Sequence, residues 1–204
     1  MEPIQIKNPS YVQLAQERIA TKILKLGHTI FGDYVYKTLV NGDSTPIIDV
    51  VVPGATYTYG NFNGNCKGVD DLSDYLTEKF HCKCFDAGHI GYDDIYSVHM
   101  LCPGINDQDE NKVTVNIFDG SPPNKGWISP IFKLNYKKVD GKALIVNDDG
   151  NEESCKKTVT DMRNRKFSSW KYMNDEDKWY FNGWRWTDTN SLTYKIKQHF
   201  GFEE

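Results

Sequence analysis

The stretch from Thr29 to Pro53, TIFGDYVYKTLVNGDSTPIIDVVVP, constrains this chain more than any other. Thr29 to Phe31 reads as a short apolar strand and Gly32-Asp33 as a tight turn. Asp33 to Val40 follows as a short helix stopped by Asn41-Gly42, and Pro46 to Val52 as a second strand. That second strand is continuous and β-branched, the pattern of a strand buried at the centre of a sheet. The order strand, turn, helix, strand predicts a mixed sheet with the Gly32 turn at its edge and helices packed against it.

The flanking residues supply the rest of such a domain. Residues 10 to 26 place Val12, Leu14, Ala15, Ile19, Ile23, Leu24 and Leu26 near helical spacing, with Ser10 as N-cap and Gly27 as stop. Pro53 to Gly68 is rich in Gly, Asn and Tyr and reads as an exposed loop. No Gly-Lys-Ser/Thr ending follows it, so it is no phosphate cradle. Val69 to Phe80 has the apolar spacing of a helix, with Asp70 and Asp71 in its first turn. His81 to Phe85 and Asp94 to Cys102 look like strands, and Lys112 to Phe118 alternates as a half-buried strand does. The link PGINDQDEN is a polar hairpin loop and residues 119 to 130 a turn-rich connection. Ile131 to Tyr136 and Lys142 to Val146 form a hairpin around Asp140-Gly141, and Ser154 to Phe167 a helix.

Composition narrows the function classes. A chain of 204 residues with 39% hydrophobic and 13% aromatic residues can bury a full core, so global disorder is excluded. We expect one domain over 1–204: an N-terminal helix at 10–28, a core at 29–150 and a helical, aromatic segment at 151–204. The formal charge of −4 offers no general attraction to nucleic acid. There is no apolar run of about 18 residues to span a membrane, and MEPIQIKNPS lacks the pattern of a signal peptide. Five cysteines without framework spacing point to a reduced, intracellular protein that is not secreted.

Near the C-terminus Trp170, Tyr172, Trp179, Tyr180, Phe181, Trp184 and Trp186 crowd together ahead of a last helix around Ser191 to Phe200. Such rings cap a core, or stack on bases. Neighbouring lysines and arginine are offset by Asp175, Glu176, Asp177 and Asp188, which favours the core reading. Part of Trp170 to Trp186 is the expected contact with a protein partner or a second copy, with Trp170, Trp179, Trp184 and Trp186 as its surface.

Taken together, IFGDYV, PIIDVVV, KVTVNIF, SPIFKLNYKKVDG and the terminal NGWRW resemble the small nucleotidyltransferase-fold proteins of large DNA viruses, distant relatives of the polymerase-β type. The resemblance spans roughly Ile23 to Trp186. It implies an α/β (α+β) fold, a mixed sheet flanked by helices with an aromatic-rich C-terminal segment. It also implies a location in infected-cell cytoplasm or in the virion. Members carry a Gly-Gly or Gly-Ser turn, an Asp-x-Asp pair on the next strand and a third Asp on a later one. Here those positions hold Gly32-Asp33, then Ile47 and Asp49, then Asn116, and the basic residue and acid after the turn fall on Tyr36 and Lys37. Only Gly32 and Asp49 match.

The resemblance therefore implies no catalytic residues. Gly32 and Asp33 are a vestigial nucleotide-binding turn and Asp49 a weak metal ligand, while Ile47, Asp49 and Asn116 are degenerate catalytic positions. Ile47 offers no ligand, Asn116 offers a neutral carbonyl, and Asp33 places a negative charge where triphosphate would sit. No cofactor is expected; Mg²⁺ belongs only to an active, divergent alternative transferring a nucleoside monophosphate from a triphosphate. Asp93, Asp94, Asp107, Asp109 or Asp119 could rebuild a metal site with Asp49 in that case. Two smaller constellations also stand out: Cys66, His81, Cys82, Cys84 and His89 as zinc donors, although their spacing is unusual, and Cys102 with His99 as a nucleophilic pair. Strand alternation instead sets Cys82 and Cys84 together on an apolar face.

Overall fold

The computed structural model describes residues 1–58, 61–90, 95–105, 111–120, 133–167, 179–181, 184–186 and 189–202. Seven strands form one mixed sheet in the order β5-β6-β7-β2-β1-β8-β9. The strands are β1 (Thr29–Phe31), β2 (Ile47–Val51), β5 (Lys83–Ile90), β6 (Ile95–Cys102), β7 (Val113–Phe118), β8 (Leu134–Val139) and β9 (Lys142–Asn147). Only β2 and β7 run parallel, with Asp49 directly opposite Asn116; the other five pairings are antiparallel. Two small hairpins stand apart, β3 (Thr56–Thr58) with β4 (Asn61–Asn63) and β10 (Trp179–Phe181) with β11 (Trp184–Trp186).

The helices form where their ends are capped. In α1 (Tyr11–Lys25) Ser10 Oγ accepts from the Gln13 N–H, and Gln13 Oε1 accepts from the Ser10 N–H, a reciprocal capping box. α2 (Cys66–Phe80) is capped by Asn65, and α3 (Glu152–Arg163) by Asn151. α4 (Thr189–Phe200) closes the chain. Ile19 and Ile23 of α1 and Val69, Leu72 and Leu76 of α2 join Ile48, Val50, Val98, Met100, Val115 and Ile117 in one core cluster. Burial of this kind contributes roughly 1.5–3 kcal/mol per large aliphatic side chain. None of the described helices is long and apolar enough to cross a membrane.

Several local expectations need correction. The Gly32 turn is not at the sheet edge, because β1 lies between β2 and β8. β2 is central but not buried on both faces: Ile48 and Val50 are buried, while Ile47, Asp49 and Val51 are half-buried. The helix after Gly32 is a π-helix, Tyr34–Leu39, in which Tyr34, Val35, Tyr36, Thr38 and Leu39 are all buried. Five buried side chains in six residues exceed the one stripe that an α-helix presents to a core. The loop 53–68 contains the β3–β4 hairpin, and α2 begins three residues before Val69, so Asp70 and Asp71 lie beyond its first turn. The signal for that start is Asn65, whose Oδ1 accepts from the Gly68 N–H while its Nδ2 donates to Pro53 O. A Cβ on Gly68 would stand 2.5 Å from Asn65 Nδ2 and 2.6 Å from Val52 Cγ1, so glycine breaks the apolar spacing there of necessity. Arg165, at φ +55°, ends α3 short of Phe167.

The cysteines also depart from expectation, since Cys82 and Cys102 form a disulfide. Cys66 and Cys84 are free and exposed, and Cys155 is free and buried. Asp140 and Gly141 do occupy the left-handed region, at φ +49° and +82°, as a two-residue hairpin turn demands.

Candidate functional site

The corner singled out by the sequence does assemble. Phe31, the last residue of β1, pairs with Asp49, so the following Gly32 turn lies against the Asp49 side chain. Gly32 has φ +71°, and a Cβ there would collide with Asp49 Oδ2. The contact therefore needs glycine for two separate reasons. Asp49 Oδ1 accepts from Asn116 Nδ2 at 2.8 Å, and the Asp33 backbone N–H donates to the same carboxylate.

The row continues one strand further. His99 of β6 is the register partner of Asn116, and its Nδ1 lies 2.8 Å from Asn116 Oδ1. Because Asn116 spends its amide on Asp49, its oxygen accepts, and Nδ1 carries the proton. His99 Nε2 is 3.2 Å from Ser97 Oγ, which also reaches Gly88 O at 3.3 Å. Asp49, Asn116, His99 and Ser97 thus make one hydrogen-bonded chain over three adjacent strands, on the face opposite α1 and α2.

Electrostatics at Asp49 follow from its setting. Burial pushes its carboxyl up from 3.8 to about 7; the Asn116 hydrogen bond opposes the rise and the Asp33 charge adds to it. A carboxyl titrating there is only partly ionised at neutral pH. Ile47, on the same face of β2, is half-buried and brings no donor atom. Tyr36 is buried, and burial raises its hydroxyl well above 10.

Asp33, which the resemblance sets where triphosphate would sit, turns its carboxylate to α4. Both its oxygens meet His199 Nε2 of α4, at 3.0 and 2.9 Å, and Lys37 Nζ stands 3.8 Å from Oδ2. The charge expected to repel phosphate is compensated from within. Lys37 also lies over the Phe200 ring at 5.8 Å, and Tyr36 meets that ring edge-on at 5.5 Å. The π-helix and α4 are thereby joined around the turn.

The remaining candidates separate. Asp119 is 1% exposed and lies under α2, where its carboxylate accepts from the Tyr96 N–H at 2.9 Å and from Cys66 Sγ at 3.5 Å. Burial raises its carboxyl, and it does not join Asp49. Asp93, Asp94, Asp107, Asp109 and Trp170 lie outside the described residues. Trp179 and Trp186 are register partners in the β10–β11 hairpin, and Trp184 pairs with Phe181.

The proposed zinc donors scatter. Cys82 is in the disulfide, Cys66 is at Asp119, His89 stacks against Tyr96, and Cys84, which does not share the buried setting of Cys82, reaches Asp86 O. Among the described residues no three His, Cys, Asp or Glu side chains gather as a metal site. Cys102 cannot pair with His99, because the two point to opposite faces of β6 and Cys102 is oxidised. Sequence reasoning missed the roles of His99, Ser97 and His199. The first two could have been found by continuing the alternation of β6 against β7; nothing in the sequence marks His199. Set beside known protein-family models and curated proteins, the chain matches none.

Proposed function

We propose that this chain is a catalytically degenerate nucleotidyltransferase-like protein that works as a binding or scaffold subunit. The observation that carries the reading is the use made of Asp49. In a transferase of this layout the carboxylate would hold metal, and the N–H groups of the turn would meet phosphate. Here the Asp49 carboxylate takes the Asp33 N–H itself, takes Asn116 Nδ2 as well, and is covered by Gly32. An internal carboxyl occupies the donor that a phosphate would need.

Magnesium does not fit this donor set. It asks for near-octahedral oxygen ligands at about 2.0–2.1 Å. The corner offers one carboxyl of raised pKa, one asparagine already bonded on both sides, and an isoleucine at the bridging position. The test is a labelled-nucleotide transfer assay with magnesium or manganese and RNA, DNA, protein and small acceptors. We expect no incorporation and at most weak ATP binding. Incorporation that Asp49→Asn abolishes would falsify the reading and establish the active alternative. The binding role predicts a self-associating chain or a stable complex with a protein partner; sedimentation as a monomer both alone and with every protein co-purified from its source would remove that half.

A further inference from the structure

The helical side of the sheet presents two stripes of opposite charge. The apolar residues of α1 face the core, and Arg18, Lys22 and Lys25 follow one another at helical spacing along its outward side, all exposed. The outward side of α2 carries Asp70, Asp71, Asp74 and Glu78, exposed as well. Within the chain these acids are only partly answered. Lys67 Nζ stands 3.2 Å from Asp71 and Lys79 Nζ 2.7 Å from Glu78, pairs so open to water that they contribute little. Among the described residues Arg18, Lys22, Lys25 and Asp74 have no ion-pair partner. Arg18 lies over the Phe80 ring at 5.4 Å.

The two stripes are in step. Gln16 of α1 reaches Ile47 O at the start of β2, and the helix then runs toward Thr29, which pairs with Val51 at the end of that strand. Cys66 at the start of α2 meets Asp119, just past the end of β7, and that helix runs back to Phe80. The helices are therefore antiparallel, and the Arg18–Phe80 contact sets their levels. With a rise of about 1.5 Å per residue, Lys22 falls level with Leu76, between Asp74 and Glu78. Lys25 falls level with Ser73, between Asp71 and Asp74. Between the helices lies a cleft of about 190 Å³ whose walls include Ala15, Ile19, Phe80 and Ile105, the last 48% exposed.

We propose that this face docks a second copy of the chain, with α1 of each copy laid over α2 of the other. The inference rests on the scaffold reading and names the partner. A two-fold axis lying in the plane of contact and running along the cleft keeps every residue at its level. It sets Lys22 over Asp74 and Glu78, and Lys25 over Asp71 and Asp74, once in each direction. Two helices, each about 10 Å across and 22 Å long, offer a small face. Over both copies it buries on the order of 900 Å², which places the dimer among weak contacts rather than permanent ones. Charge complementarity fixes its register, and added salt weakens it.

The experiment is a charge swap on the full chain, read by sedimentation equilibrium up to millimolar protein at low salt. One variant is Lys22→Glu/Lys25→Glu and the other Asp71→Lys/Asp74→Lys; all four side chains are exposed, and circular dichroism checks that each variant folds. The wild type is expected to dimerise, and either variant alone to associate roughly a hundredfold more weakly, because like charges then meet at both contacts. Mixed together, the two variants are complementary at both contacts, and the dimer is expected to return. A wild type that stays monomeric would overturn the proposal, as would a dimer indifferent to both reversals or one that mixing fails to restore. Nucleotide transfer by the chain would instead remove the scaffold reading and leave this contact standing.

Discussion

The two faces of the central strands solve the same problem by opposite means. Beneath the helices, Ile48, Val50, Val98, Met100, Val115 and Ile117 are each 3% exposed or less, and at this level the face is apolar. On the other face, at the same level of the same strands, stand Asp49, Asn116 and His99. The first face is stabilised by area removed from water, which tolerates rearrangement. The second is stabilised by each polar group finding a partner, and a partly satisfied chain is worse than an apolar one. A polar row stands at the centre of the sheet, and its members bond to one another.

Four substitutions can break or sharpen that contrast. The largest effect is expected at Asp49, read against pH. Its carboxyl is raised from 3.8 to about 7 in the folded chain, so the native state holds the proton more tightly than the unfolded state. Its contribution to stability is therefore complete below about pH 4 and is lost as the pH rises to about 7, with a ceiling of about 4 kcal/mol. In denaturant unfolding, the stability difference between wild type and Asp49→Asn should shift by up to that amount across this window, in favour of the variant at high pH. A difference independent of pH would remove the claim that the carboxyl is held near neutrality.

Next comes Ile48→Ala on the apolar face. It should cost about 3–4 kcal/mol at any pH, through lost burial and the cavity left behind; a cost under 1 kcal/mol would mean that face is not the core. Gly32→Ala should cost about 2–3 kcal/mol, since the methyl meets Asp49 Oδ2 and the residue must keep a positive φ. In the double variant with Asp49→Ala much of that cost should disappear, and additive costs would show that the two residues do not touch. The smallest effect is expected from Asn116→Ala, about 1–2 kcal/mol, by leaving Asp49 and His99 without their shared partner. The His99 ring resonances should shift with it.

How far the sequence could be read follows the same division. Local signals carried their elements well: the Ser10 cap, the left-handed pair at Asp140-Gly141 and the alternation of KVTVNIF all appear where the pattern puts them. The resemblance set Asp49 and Asn116 at one site, and the two are register partners on neighbouring strands. What was hidden depends on distant register. Cys82 and Cys102 meet only because β5 and β6 are antiparallel with that particular offset. His199 reaches Asp33 across 166 residues of sequence, and no local preference encodes such a contact. The π-helix was hidden for another reason, since its residues suit an α-helix equally well and only the demand to bury five of them widens the turn.

The most direct test of the corner's role is a ¹³C NMR titration of the Asp49 carboxyl, with and without millimolar magnesium. The account predicts a midpoint near 7 that magnesium leaves in place, because the carboxylate is already engaged by Asn116 Nδ2 and the Asp33 N–H. A midpoint in the ordinary carboxylate range, or one that magnesium drives downward, would contradict it and return Asp49 to the role of a metal ligand.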